Sequence, residues 1–177
     1  MAQRMSGYAR QRDDEYETPA WVTRVIVPYL RQHCRQVWDP ANGPASKIAS
    51  VLRDQGLDAI ATNDNFLSRM SLPDISIDAV CTNPPYGIGG RLACRFIEHA
   101  LELVPVVVML LRIDFDSGKT RTHLFRDCAA FDRKIVLLDR IVWFEREGAS
   151  GPSENHAWYV WNRRHRGPPT ISYGRSS

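Results

Sequence analysis

The sequence lacks what a disulfide framework, a zinc site or a membrane span requires. Its four cysteines, Cys34, Cys81, Cys94 and Cys128, are far apart and form no CxxC pair. That spacing argues for buried free thiols rather than bridges or metal ligands. The five histidines, His33, His99, His123, His156 and His165, show no ligand spacing, and nothing like HExxH occurs. No metal is therefore expected. The longest apolar run, Val104 to Leu111, contains Pro105 and ends at Arg112, too short to cross a membrane. The opening "MAQRMSGYARQRDDEYE" has no apolar segment of the kind a secretion signal needs. A cytoplasmic location without membrane contact is the expectation. A strong excess of one charge sign is also lacking: the net value is +3 over 177 residues, which permits an anionic partner without requiring one. The basic residues do cluster in "NRRHRG" at 162–167, and Arg4, Arg10 and Arg12 lie near the start. Arg163 and Arg164 are candidate phosphate contacts. Such a run can equally be a solvated face.

The length suits one domain. Residues 1–14 are polar and aperiodic and read as an N-terminal arm, 15–166 as the catalytic unit, and 167–177 as a tail. "TPAWVTRVIVPYLRQH" predicts a helix opening at Thr18-Pro19, with Thr as N-cap, Pro in the first turn, and Pro28 as an interior break or kink. A strand at Val37-Trp38, a helix over about 45–55 capped by Gly56, and a strand from Asp58 to Thr62 then form a β-α-β pattern. "SIDAVCTN" predicts a strand and "GGRLACRFIEHALELV" a helix. "VVVMLLRI" predicts a strand apolar on both faces, as at the centre of a parallel sheet. "TRTHLFRDCAAF" predicts a helix, "KIVLLDRIVWF" a strand and "HAWYVWNRR" a final strand. The alternation implies an α/β fold, a doubly wound and mostly parallel sheet with helices on both faces.

Ligands of such folds bind at the carboxyl ends of the strands, and three unusual stretches fall there. "DPANGPA", 39–45, places an acid and a glycine-containing loop before a helix, which lets backbone approach a nucleotide-like ligand; Ala45 stands where a second glycine could. An ordinary β-α turn reads the same way. "ATND", 61–64, ends in Asp64, a candidate for ribose hydroxyls or a plain helix cap. "NPPY", 83–86, is the most informative. The two prolines stop the strand and fix the backbone. The Asn83 amide oxygen and the Pro84 carbonyl are both acceptors, which suits a donor NH₂ group held between them. Tyr86 could stack on a flat ring beside it. "DSGKT", 116–120, looks like the end of a phosphate-binding loop, but Ile113 stands where its first glycine is needed, and Asp114 and Asp116 would repel phosphate.

These residues resemble those of the S-adenosylmethionine-dependent amino-methyltransferases, above all the N6-adenine DNA methyltransferases. "NPPY" is similar to their catalytic motif, "DPANG" to their methionine-binding loop, and "YETP", 16–19, to the short motif that precedes it. The resemblance covers roughly residues 15–165. It implies a seven-stranded Rossmann-like sheet with an antiparallel last strand, and S-adenosyl-L-methionine as cofactor. It also implies that Asn83, Pro84, Pro85 and Tyr86 hold the target amine. Thr18, Pro19, Asp39, Pro40, Ala41 and Gly43 would border the methionine part of the cofactor, Asp64 its ribose, and Asn65 and Phe66 its adenine. Phe144, with Trp143 as the alternative, would sit against a base flipped out of its stack. The implied chemistry is direct in-line methyl transfer with no covalent enzyme intermediate.

The implied partner is DNA, with RNA as the alternative. No stretch is long enough for a separate target-recognition domain, so sequence reading would come from loops or from a partner protein. The same motif would also serve an rRNA guanine amine or a protein glutamine, or a methyltransferase-like binding protein that has lost catalysis.

Overall fold

A computed structural model describes residues 17–62, 65–73, 76–143 and 154–176. Among the described residues there are three α-helices: α1 (Ala20–His33), α2 (Lys47–Asp54) and α3 (Arg91–Leu103). Seven strands form one sheet: β1 (Gln36–Asp39), β2 (Asp58–Ala61), β3 (Ala79–Thr82), β4 (Val106–Arg112), β5 (Phe131–Leu137), β6 (His156–Asn162) and β7 (Thr170–Gly174). Their order is β2-β1-β3-β4-β6-β5-β7. Every neighbouring pair is parallel except the two that β6 makes, with β4 and with β5. The doubly wound, seven-stranded sheet with one antiparallel strand is the architecture expected from the resemblance.

Strand alternation splits the core into two layers. Val106, Val108 and Leu110 of β4 face α1 and α2, together with Cys81, Trp158 and Val160. Val107, Met109 and Leu111 face α3, together with Val80, Tyr159 and Trp161. A strand covered on both faces has no polar side to show, which is why β4 is apolar throughout except for Arg112 at its end. The indole N–H groups of the two tryptophans of β6 are satisfied on opposite faces. Trp158 donates to the Val22 carbonyl at 2.8 Å, 136 residues away in sequence, and Trp161 to the Leu124 carbonyl at 2.6 Å.

Several expectations need correction. α1 runs through Pro28 to His33, and its N-cap is Pro19, with no side-chain cap from Thr18. The helix expected in "TRTHLFRDCAAF" is a 3₁₀ segment, Lys119–Leu124, followed by turns. Its two threonines, histidine and aspartate are poor helix formers, and Phe125 is pulled into the aromatic cluster with Phe131, Tyr159 and Trp161. The strand expected over "KIVLLDRIVWF" starts earlier, at Phe131, and ends at Leu137. The stretch read as a tail contains β7, paired with β5 along its whole length. Pro168-Pro169 disguises it, since prolines are tolerated just before an edge strand. On β7, Gly174 packs so tightly on α1 that a Cβ there would lie 2.3 Å from Val25 Cγ1. The N-terminal arm lies outside the described residues.

Candidate active site

Three segments meet at the carboxyl edge of the sheet: the entry to α1, the loop from β1 to α2, and the residues that follow β3. Asp39, the last residue of β1, organises them. Its carboxylate is 1% exposed. It accepts from the Ser46 hydroxyl at 2.6 Å, the Thr82 hydroxyl at 2.7 Å, and Asn42 Nδ2 at 2.8 and 2.9 Å. The Ala41 backbone N–H adds a longer contact at 3.3 Å. Burial pushes the Asp39 carboxyl above the usual carboxylate range, and these hydrogen bonds oppose the push. Ser46 works twice, because the hydroxyl that donates to Asp39 also accepts from the Ala49 N–H as the N-cap of α2. Thr82 belongs to the strand that carries the "NPPY" segment. One buried carboxylate therefore ties the β1–α2 loop to the residue before Asn83.

The rest of the loop is shaped for close approach. Gly43 is buried at φ 64°, and its N–H donates to the Thr62 carbonyl at 3.2 Å. A side chain is strained in that conformation. Pro40 is buried, Ala41 and Asn42 are half-buried, and Pro44 and Ala45 are exposed. The segment before α1 lies against the same structure, since Glu17 pairs with Lys47, the first residue of α2, at 2.5 Å. Next to Glu17, Thr18 is 3% exposed, and its buried Oγ1 has no hydrogen-bond partner.

After β3, Asn83 is 8% exposed and Pro84 is buried, while Pro85 and Tyr86 are half-buried. The Tyr86 hydroxyl donates to the Leu110 carbonyl of β4 at 3.2 Å, and its own carbonyl accepts from the Leu92 N–H at 3.2 Å. The motif is thereby braced on β4 and on the start of α3. Gly87, at φ 63°, allows the turn: a Cβ there would lie 2.8 Å from Leu92 Cβ.

Not every candidate residue reaches this edge. Phe66 is 1% exposed and packs among Trp38, Phe96 and His99, with ring centroids at 5.3, 5.0 and 4.9 Å. It is a core residue, closed to stacking on a ligand. Asn65 beside it is exposed. Arg163 and Arg164 follow β6, whose last residue, Asn162, pairs with Val106 at the start of β4. They lie at the opposite edge of the sheet from Asn83. Asp64 and Phe144 lie outside the described residues. Trp143 is half-buried and meets His156 edge-on, with ring centroids at 5.4 Å. Of the phosphate-loop look-alike, Asp116 is taken by Lys134 at 2.8 Å. Sequence reasoning passed over Ser46 and Thr82. A hydroxyl at the helix N-cap and another at the strand end before Asn83 were the available signals. Among the described residues, no cluster of His, Cys, Asp and Glu could hold a metal ion, and no helix is long and apolar enough to cross a membrane.

His156 gives this edge a pH dependence. It is 4% exposed, and burial pushes its pKa down to about 4. The unfolded chain, with the ordinary value near 6.5, takes up the proton first as pH falls. The stability that the neutral ring contributes is complete above about pH 6.5 and is lost as pH falls towards 4. Its size is on the order of 3 kcal/mol. Urea unfolding at steps from pH 7.5 to 4 is expected to show that decline in the parent protein and a shallower one in His156→Phe. Equal slopes would refute the assignment.

No protein-family model matches the chain, and no curated protein sequence matches it. Solved structures do. A Listeria monocytogenes protein provisionally assigned as a class I S-adenosylmethionine-dependent methyltransferase superposes with a TM-score of 0.67 at 13% identity, over 96% of this chain and 68% of its own. A Pyrococcus horikoshii protein provisionally assigned as an RNA methyltransferase gives 0.51 at 13% identity, over 90% and 92%. The Thermoplasma acidophilum protein 1320 gives 0.50 at 15% identity, over 82% and 88%. This chain has the fold of these proteins.

Proposed function

We propose that the chain is an S-adenosylmethionine-dependent methyltransferase that places a methyl group on the exocyclic N6 amine of adenine in DNA. The observation that carries this reading is the placement of Asn83-Pro84-Pro85 beside the Asp39-centred loop, at the edge of the sheet where ligands of this fold bind. The loop fits the methionine end of the cofactor: Gly43 leaves backbone without a side chain, Pro44 and Ala45 are open, and the buried Thr18 Oγ1 lacks a partner that a ligand amine or carboxylate can supply. When bound, the cofactor supplies an electrophilic methyl group on a sulfonium. The chain supplies position. The Asn83 amide oxygen and the Pro84 carbonyl accept the two amine hydrogens, which draws the nitrogen lone pair out of the ring's conjugation and fixes its direction. Tyr86, braced on β4, is the candidate wall beside the base. Half-buried and buried surroundings strip water from the amine, so orientation and desolvation provide the rate. The fold of the L. monocytogenes protein, and its assignment, support the cofactor.

The test is a labelled-methyl panel: unmethylated duplex DNA, single-stranded DNA, rRNA and a mixture of soluble proteins, each with the cofactor. Label is expected in DNA, recovered as N6-methyladenine after digestion. Label only in rRNA or only in protein would overturn the DNA substrate but keep the chemistry. No transfer to any substrate, together with no heat on titrating the cofactor into the protein, would sink the enzyme reading.

A further inference from the structure

A second concave site lies at the amino edge of the sheet. A cavity of about 380 Å³ opens between the end of α1, the start of β5 and the segment joining β6 to β7. Arg133, Arg164, Arg166, His33 and His165 line it, against a single carboxylate, Asp132. That carboxylate is already engaged. It is 6% exposed, accepts the Tyr29 hydroxyl at 2.5 Å, and lies 3.3 Å from His165 Nδ1. Tyr29 accepts in turn from Asn162 Nδ2 at 3.0 Å, and burial, with the Asp132 bond, raises its pKa, so it stays neutral. Among the described residues, no carboxylate pairs with Arg133, Arg164 or Arg166. The Arg133 guanidinium lies 5.3 Å from the Tyr29 ring centroid, and its buried Nε has no hydrogen-bond partner. Arg166 Nη1 is braced on the carbonyls of Arg163 and His165, at 3.2 and 2.7 Å. Three arginines around one engaged carboxylate leave the cavity with an excess of positive charge, which an acceptor-only anion matches. Three arginines lining one space match the oxygens of phosphate better than any neutral ligand.

We propose that this cavity binds a phosphate group, either of a free phosphorylated molecule or of a nucleic-acid backbone. It is separate from the candidate active site. Register places Asn162 opposite Val106 and His156 opposite Arg112, the two ends of β4, so the sites are roughly 20 Å apart along the strands. None of its lining residues touches the Asn83 edge, and its test needs no methyl transfer.

The full chain, without cofactor, is titrated with inorganic phosphate, pyrophosphate and a twelve-residue oligo-dT, from 50 to 200 mM salt. The double variant Arg164→Gln/Arg166→Gln changes only exposed side chains, so its fold is safe; Arg133→Gln removes the third guanidinium of the lining. Arg163→Gln, an exposed neighbour outside the cavity, is the control. If the ligand is a backbone, the double variant is expected to weaken oligo-dT binding about tenfold and lower the salt slope by about 1.4, two contacts at 0.7 each. If the ligand is a free phosphate, pyrophosphate and phosphate binding is lost while oligo-dT binding is unchanged; this also supports the site. Unchanged binding of all three probes in both cavity variants would overturn it, as would an equal effect of Arg163→Gln, which would assign the effect to net charge.

Discussion

Asn83→Ala is expected to lower methyl transfer by on the order of 10³-fold, the scale of losing one preorganised partner of the reacting group. Cofactor affinity should stay within about twofold, because Asn83 belongs to the β3 segment and not to the loop proposed to hold the cofactor. Asn83→Asp keeps an acceptor oxygen at the same place and should fall between the two. Labelled transfer to DNA and calorimetric titration of the cofactor read both quantities on the same preparations. Near-normal transfer by Asn83→Ala would end the proposed chemistry. An equal loss of cofactor binding would make Asn83 a scaffold residue instead. This experiment separates the two because Asn83 is 8% exposed and small, so its truncation changes little packing.

Asp39→Ala is expected to act on stability. Removing the carboxylate leaves the Ser46 hydroxyl, the Thr82 hydroxyl and the Asn42 amide without their common acceptor. Buried donors stranded together cost about 3–5 kcal/mol. For a chain of this size that lowers the melting temperature by roughly 10 °C. Asp39→Asn should lose less than half of this, since its carbonyl oxygen still accepts and the hydroxyls can accept from its NH₂. Thermal melts of the three proteins with and without cofactor decide the matter. If Asp39→Ala melted like the parent but no longer bound the cofactor, Asp39 would be a ligand and not the brace its burial indicates.

Six of the seven described strands, and the three described helices, were legible locally. The apolar run of β4, the amphipathic stripe of α3 and the turn before α2 each carry their period in adjacent residues. What was not legible depended on partners far along the chain. Phe66 sits after a strand like a ligand-stacking aromatic, yet Trp38, Phe96 and His99 enclose it. No short window contains all four. Arg163 and Arg164 show a different limit. An antiparallel strand and contacts just beyond it to a group held at Asn83 exclude one another, because that direction carries the following residues to the far edge. β6 is antiparallel to β4 and carries Arg163 and Arg164 away from Asn83. In the same way, the prolines before β7 say only that a strand there must lie at an edge. Its pairing with β5 is a property of the sheet.

The packing of α1 against β7 also bears on how the protein is made. α1 is the first described helix, yet its half-buried Val25 meets Gly174 of β7, and its Val22 carbonyl waits for Trp158, 136 residues later. β4 likewise stays uncovered on one edge until β6 arrives. On the ribosome, the half of the sheet from β2 to β4 emerges with an open, apolar central strand. Contacts so distant in sequence form slowly, and an unpaired strand is a template for aggregation. Synthesis must therefore pass through a stage in which the most apolar strand has one neighbour, and release of β6 is the event that ends it.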